Sequence, residues 1–357
     1  MINLKEETTK ELEFKTYTKI QEEVIPHACN REDIYALAPT GSGKTYAYLL
    51  PILDRLELQG KGKHFPKCLI LAPTRELSIQ ITHVIRDLLK HREGIRTALL
   101  TGGYDIQKQI KSFKNGADIV VGTPARVNDH LRRHTFKTKL CDTLIIDEAD
   151  MMLSMGFQDD VMQCITYLKE HQTMLFSATE TTQTKALASN ILNDPYICRI
   201  NEDSNKKQNI TVHIIQTNEK NKIDVLNQIF KKENKQCILF CNTRKTCDFI
   251  TELFQKRNIS IKTIHSEMDY SLRKNIMEEF RNKKLHILCA TDVASRGIDV
   301  PNVDTVIMYD IADTEEQLIH RVGRCSRDGS QSNAYLLTAK KDKVFNFKQL
   351  FEKVIYQ

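Results

Sequence analysis

The sequence predicts an α/β protein with two tandem parallel-sheet domains joined by a short polar linker. Three observations predict it. The chain has 357 residues, more than one hydrophobic core usually accommodates. Short apolar runs of strand length alternate with longer stretches of helical periodicity from end to end, the order of a doubly wound parallel sheet. That alternation breaks at Asn201-Glu202-Asp203-Ser204-Asn205-Lys206-Lys207-Gln208-Asn209, which holds no aliphatic side chain. The domains are therefore expected at residues 1–200 and 210–357, with 201–209 as the linker.

In the first half, strands are expected near Ile34–Ala38, Cys68–Ala72, Thr97–Leu100, Ile119–Gly122, Leu144–Asp147 and Met174–Ser177. Each is brief, rich in Ile, Leu and Val, and bounded by turn or charged residues, as suits a strand buried on both faces. Between them, Leu77, Ile81, Val84, Ile85 and Leu88 carry helical spacing. After the linker, strands are expected near Val212–Gln216, Cys237–Cys241, Ile261–Ile264, Ile287–Ala290, Val306–Tyr309 and Ala334–Leu337. In the tail, Val344, Phe347, Leu350, Phe351 and Val354 have helical spacing and predict a helix docked on the second domain. The halves look like similar folds without a residue-level repeat.

Composition excludes little. The formal net charge of +6 tolerates a polyanionic partner without demanding one. Ten cysteines form no C-x-x-C pair, so the usual zinc spacing is missing. Several, such as Cys68 and Cys289, sit inside apolar runs, where cysteine behaves as a small core hydrophobe. No apolar run has signal-peptide or bilayer length, so the expected setting is a reduced cytoplasm with no membrane partner.

The first chemical signal is Pro39-Thr40-Gly41-Ser42-Gly43-Lys44-Thr45, between an expected strand and the helical-looking Tyr46-Ala47-Tyr48-Leu49-Leu50. A strand, a glycine-rich loop and a helix start form an anion cradle, because glycines let backbone N–H groups approach phosphate oxygens and the helix dipole favours negative charge. Lys44 would reach the β- and γ-phosphates, and the Thr45 hydroxyl would hold Mg²⁺. Ala38 stands where the general pattern has its first glycine. A flexible Gly/Ser turn would leave Lys-Thr at a helix start unexplained. A P-loop needs a second acid for the metal at a neighbouring strand end. Thr143-Leu144-Ile145-Ile146-Asp147-Glu148-Ala149-Asp150 supplies it, with Asp147 expected on Mg²⁺ and Glu148 as general base toward the attacking water. Alone, such an acidic cluster would read as a solvated helix N-terminus; the P-loop in the same domain selects the metal reading.

On these residues the chain resembles the DEAD-box RNA helicases of helicase superfamily 2, named for the tetrad seen here as Asp147-Glu148-Ala149-Asp150. Ala38-Pro39-Thr40-Gly41-Ser42-Gly43-Lys44-Thr45 is that family's form of the P-loop. Further blocks follow in the family's order: Pro73-Thr74-Arg75-Glu76-Leu77, Gly102-Gly103, Thr123-Pro124-Ala125-Arg126, Ser177-Ala178-Thr179 and Phe240-Cys241-Asn242-Thr243. Then come Ala290 to Asp299 (ATDVASRGID) and His320-Arg321-Val322-Gly323-Arg324-Cys325-Ser326-Arg327. Each block alone is weak; the ordered set, from about Phe14 to Arg327, is strong.

The resemblance implies two RecA-like domains and an ATP-dependent enzyme acting on single-stranded or short duplex RNA, with ATP and Mg²⁺ as cofactors. Gln21 would read the adenine edge, which suits an amide that both donates and accepts, and Phe14 would stack on the base; both residues could equally be core. With Lys44, Asp147 and Glu148, the resemblance places His320, Arg324 and Arg327 among the catalytic groups, the two arginines as fingers that act when the domains meet. Asp299 would touch the ribose. Ser177 and Thr179 would hydrogen-bond to the acidic tetrad, although Ser-Ala-Thr after a strand also reads as a helix cap. Thr40, Gly41, Ser42, Gly43 and Thr45 would surround the nucleotide. Pro73, Thr74, Arg75, Gly103, Thr123 and Arg126 from the first domain, with Thr243, Arg273 and Thr291 from the second, would contact RNA phosphates and sugars independently of base sequence.

The chain departs from the family pattern at Ala125, Ser326, Tyr270 and Lys19, none of which removes a catalytic group. A DNA-directed translocase of the same superfamily and an ATP-gated RNA clamp or scaffold remain open alternatives. No basic or Arg/Gly-rich appendage is visible, so targeting of a monomeric core is expected to come from partners, ribosomal or RNA-decay proteins among them, or from weak general affinity.

Overall fold

The computed structural model describes residues 2, 4–10, 12, 14, 16–39, 41–56, 65–92, 94–113, 116–200, 210–233, 235–265, 267–291, 303–325, 331–339, 342, 345–351 and 353–356. Of the expected positions, Thr40, Asp299, Ser326, Arg327, Val344 and the linker 201–209 lie outside the described residues. Contacts divide the chain into a first unit, Met1–Asn201, and a second, Glu202–Gln357.

The first unit holds β1 (Ile34–Leu37), β2 (Cys68–Leu71), β3 (Thr97–Leu100), β4 (Ile119–Gly122), β5 (Thr143–Ile146), β6 (Gln172–Ser177) and β7 (Tyr196–Arg199). All pair in parallel in the order β3-β4-β2-β5-β6-β1-β7. The helices used below are α1 (Lys19–Cys29), α2 (Lys44–Arg55), α3 (Arg75–Leu88), α4 (Pro124–Arg132) and α5 (Ala149–Ser154). The continuous apolar character of the strands follows from burial on both faces. In β1, Ile34 and Ala36 join one core layer, while Tyr35 and Leu37 join the layer on the opposite face.

The second unit repeats this plan. Its strands are β8 (Ile210–Gln216), β9 (Cys237–Phe240), β10 (Ile261–Ile264), β11 (Ile287–Ala290), β12 (Thr305–Met308), β13 (Ser332–Thr338) and β14 (Lys353–Tyr356). Their parallel order is β10-β11-β9-β12-β13-β8-β14, the same permutation as in the first unit. Its helices include α6 (Lys222–Lys232), α7 (Arg244–Gln255), α8 (Tyr270–Arg281) and α9 (Glu315–Val322). Two core layers again flank the sheet, Ile238 and Phe240 of β9 entering one and Cys237 and Leu239 the other.

Two strands differ from expectation. β7 is an edge strand in which only Cys198 is buried, so it lacks the apolar run that marks its neighbours. The tail is not one docked helix: a single helical turn spans Phe347–Leu350, and Val354 lies in β14, paired in parallel with β8. Phe347 is buried and Leu350, Phe351 and Val354 pack partly buried against the same core, a grouping that imitates helical spacing although the chain changes conformation within it.

In a parallel sheet every strand delivers its C-terminal end to one edge, where ligands of open α/β folds bind. The first-unit blocks singled out in the sequence all follow strand ends, from the glycine loop after β1 to Ser177-Ala178-Thr179 at the end of β6. Among the described residues, no helix is long and apolar enough to cross a membrane.

Candidate nucleotide site and nucleic-acid face

The loop after β1 turns through Gly41 and Gly43, both at positive φ, and α2 begins at Lys44. Gly43 has φ +99°, and a Cβ there would lie 2.5 Å from Gln21 Nε2, so conformation and space both require glycine. Gln21 is what crowds it. Its Oε1 accepts from Thr18 N at 2.9 Å, closing the capping box of α1, and its Nε2 donates to the Gly43 carbonyl at 3.2 Å. One hydrogen and one lone pair of this buried amide remain uncommitted to these two bonds. Phe14 meets Tyr46, on the first turn of α2, edge to face at 5.3 Å.

Lys44 is buried, its Nζ donating to the Ala38 carbonyl at 2.6 Å and the Pro39 carbonyl at 3.3 Å. The Ser42 hydroxyl is buried without a hydrogen-bond partner among the described residues. Asp147 follows β5, two strands from β1, and is 3% exposed. Its Oδ2 accepts from the Tyr48 hydroxyl at 2.9 Å and its Oδ1 from Glu148 N at 2.9 Å. Burial raises its pKa, opposed chiefly by the positive charge of Lys44. A hydroxyl oxygen and a carboxylate are donors that suit a hard cation, so Thr45 and Asp147 fit Mg²⁺ by chemistry. Tyr48 was missed in the sequence; its signal is the four-residue spacing from Lys44, which sets both on one helix face. Removing its hydroxyl in Tyr48→Phe leaves a buried carboxylate oxygen without its donor, a loss expected to cost about 1.5–3 kcal/mol of first-unit stability. Urea unfolding checks this, and an unchanged midpoint would show that the bond contributes nothing.

Glu148 adopts a left-handed conformation, φ 50° and ψ 54°, as N-cap of α5. A non-glycine residue there carries strain of order 1–3 kcal/mol and is worth weighing as functional. Its neighbour Asp150 binds the end of β6. Asp150 Oδ2 accepts from Thr179 N at 2.9 Å and Thr179 Oγ1 at 2.7 Å, and Asp150 N donates to Ser177 Oγ at 3.3 Å. Ser177 Oγ donates in turn to the Thr179 carbonyl at 2.8 Å. The acidic tetrad thus faces the glycine loop with Asp147 and grips the Ser177-Ala178-Thr179 turn with Asp150.

A second constellation surrounds the ends of β2, β3 and β4. Thr74 is spent as the N-cap of α3, its Oγ1 accepting from Leu77 N at 3.2 Å, which sets Arg75 in the first turn. The Arg75 guanidinium lies over the Tyr104 ring, 4.1 Å from its centroid, and a Cβ on Gly103 (φ +77°) would strike it. Arg126 donates to the Tyr104 carbonyl at 3.2 Å and Gln109 Oε1 at 3.3 Å. Two arginines thereby meet at one exposed turn, with Tyr104 and Gln109 as partners that the sequence reading did not single out. Gly103 and Ala125 are exposed, Arg75, Thr123 and Arg126 are half-buried, and Pro73 and Thr74 are buried.

Gln109 also contacts His130, whose Nε2 lies 2.9 Å from its Oε1. Burial, and then the charge of Arg126, pull the His130 pKa down from 6.5 to about 4. The unfolded chain takes up this proton first, so the contribution is complete above pH 6.5 and is lost as pH falls toward 4. The melting temperature should therefore fall more steeply over that interval in the wild type than in His130→Gln, and parallel slopes would refute the assignment.

In the second unit, Thr243 caps α7, its Oγ1 accepting from Thr246 N at 3.1 Å; it is exposed, Thr291 is half-buried and Arg273 on α8 is buried. Arg321 of α9 is buried, donating to Asn242 Oδ1 at 2.7 Å and to the Asp310 carbonyl at 2.8 Å. It binds the ends of β9 and β12 together, a positioning part absent from the sequence reading. His320 and Arg324 are half-buried. Lys222, first residue of α6, is 1% exposed and lies 3.6 Å from Glu219 and 3.9 Å from Asp310.

The chain is similar to known proteins over nearly its whole length. Residues 18–187 match the DEAD/DEAH box helicase family, and residues 221–329 match the helicase conserved C-terminal domain. The DEAD-box ATP-dependent RNA helicase CshA of Bacillus cereus is 34% identical over 94% of this chain and 64% of its own length. The chain thus spans just under two thirds of that relative. A DEAD box protein from Methanococcus jannaschii is 32% identical, with TM-score 0.55, over 99% of this chain and 97% of that one. S. cerevisiae Dbp5 bound to RNA and ADP BeF3 superposes with TM-score 0.84 at 26% identity, over 99% of this chain and 94% of that one.

Proposed function

The chain belongs to the DEAD-box helicase family, and on that premise we propose that it is an ATP-dependent RNA helicase that binds single-stranded RNA and separates short duplexes. The observation that carries this reading is the double engagement of the acidic tetrad. Asp147 faces Lys44 and the glycine loop, while three residues on Asp150 holds Ser177-Ala178-Thr179. A nucleotide-dependent shift at one end of so short a segment reaches the other through direct hydrogen bonds. The relative solved with RNA and ADP BeF3 supports the same pair of ligands.

In this reading Phe14 and Gln21 receive adenine, Thr40 to Thr45 wrap the phosphates, and Asp299 meets the ribose. Thr45 and Asp147 hold Mg²⁺, which when bound neutralises phosphate charge. Glu148 orients and deprotonates the attacking water, and Arg324 and Arg327, with His320, complete the pocket from the second domain when the domains close. The domains are taken as residues 1–200 and 210–357 with the linker between. Arg75 and Arg126 neutralise RNA phosphates, helped by Gly103, Thr123, Thr243 and Thr291, while the buried Pro73, Thr74 and Arg273 contribute through the backbone they support. Ten free thiols favour a reducing cytoplasm as its setting.

ATP hydrolysis measured with matched RNA and DNA oligomers tests the reading. RNA should stimulate turnover strongly and DNA weakly; equal stimulation would favour a DNA-directed motor, and turnover without strand release would favour a clamp.

A further inference from the structure

Three thiols converge inside the second unit. Cys241 follows β9, Cys289 lies on β11 and Cys247 on the first turn of α7. All three are fully buried and their sulfurs lie within 4.8 Å of one another, with Cys241 and Cys289 Sγ 3.8 Å apart. A metal–sulfur bond of about 2.3 Å puts neighbouring sulfurs about 3.8 Å apart in a tetrahedral centre and about 4.0 Å apart in a trigonal one. Thiols of this kind therefore need only small rotations to share one ion.

The fold accounts for the convergence. β10, β11 and β9 are adjacent, and Cys289 pairs with Thr263 on one side and Leu239 on the other. Side chains two residues apart share a face, so Cys241 and His265 point to the same side as Cys289. Helix α7 packs on β10 and β11, and its first turn brings Cys247 onto that face. Around the sulfurs, the Thr251 hydroxyl faces the Cys289 thiol and the Thr263 hydroxyl the Cys247 thiol, while His265 Nδ1 is buried with no hydrogen-bond partner among the described residues. An apolar core explains small cysteines, but it does not explain two buried hydroxyls set against their sulfurs. Metal-bound thiolates would accept hydrogen bonds from these two hydroxyls.

We propose that Cys241, Cys247 and Cys289 form a binding site for a thiophilic d¹⁰ cation, Zn²⁺ or Cu⁺, in the second unit. Soft sulfur donors select such ions over the hard Mg²⁺ that suits Thr45 and Asp147. Cu⁺ is satisfied by the three sulfurs, whereas Zn²⁺ needs a fourth ligand beyond them. Binding releases the thiol protons to solvent, so affinity falls in acid. The site tethers the end of β9 to the end of β11 and the start of α7, immediately below Thr243 and Thr291, and its existence does not depend on what those threonines bind.

The test uses the full chain, metal-free and with all ten cysteines reduced, without nucleic acid. Zn²⁺, Co²⁺ as its spectroscopic substitute, and Cu⁺ are titrated separately against a competing chelator, with native mass spectrometry counting bound ions. One ion per chain is expected, with a thiolate-to-cobalt charge-transfer band in the Co²⁺ titration if the ion is of the zinc type. Cys247→Ser should lose the bound ion, and Cys29→Ser, in the first unit, should keep it. Equal retention by Cys247→Ser overturns the proposal. Should that variant not fold, the wild type decides: failure to retain either Zn²⁺ or Cu⁺ overturns it.

Discussion

Arg324→Ala is expected to bind ATP normally and to hydrolyse it about 10³-fold or more slowly in the presence of RNA. The residue lies just beyond the C-cap of α9, where its carbonyl accepts from Val303 N at 3.0 Å and its N–H donates to the Arg321 carbonyl at 3.1 Å. Alanine keeps both backbone bonds, so the fold should survive. The glycine loop, Lys44 and Asp147 belong to the other unit, which is why binding and hydrolysis should separate. A fluorescent-nucleotide affinity beside a single-turnover rate reads the two effects independently. Arg324→Lys should recover only part of the rate, because an ammonium lacks the planar fork of a guanidinium. Normal hydrolysis in the alanine variant would remove Arg324 from the reaction.

Lys44→Ala should weaken nucleotide binding and abolish turnover. Its ammonium is held by the Ala38 and Pro39 carbonyls on the inner side of the loop, at the first residue of α2. In the proposed site a modest swing would exchange those carbonyls for β- and γ-phosphate oxygens, keeping the charge desolvated but paired. The same substitution removes the positive charge that opposes the upward shift of the Asp147 pKa, so the carboxylate becomes harder to ionise. Circular dichroism separates a folded, inactive variant from an unfolded one. Wild-type turnover by the folded variant would disprove the phosphate-loop assignment.

What could be read from the sequence was whatever lies close together along the chain. Most strands announced themselves because burial on both faces demands an unbroken apolar run, and the glycine loop because phosphate contact demands small residues next to a helix start. β7 and β14 carry neither signature: each borders a sheet and exposes much of its surface, so little apolar patterning is imposed on it. The bonds from Tyr48 to Asp147 and from Arg321 to Asn242 join residues about 100 and 80 positions apart, and only the folded sheet shows them as partners. The three-cysteine cluster was hidden for the same reason. Its members occupy ordinary core positions of separate elements, with no C-x-x-C pair to betray a shared centre.

The repeated strand order gives Lys222 a particular meaning. It opens the helix after the first strand of its unit, as Lys44 does, and Asp310 follows the strand that corresponds to the one before Asp147. There, however, Thr217-Asn218-Glu219-Lys220-Asn221 replaces a glycine-bearing turn, and the lysine's charge is answered internally by two carboxylates. With its charge already answered by Glu219 and Asp310, Lys222 offers little to a second anion, so one bound nucleotide per polypeptide is the expected stoichiometry.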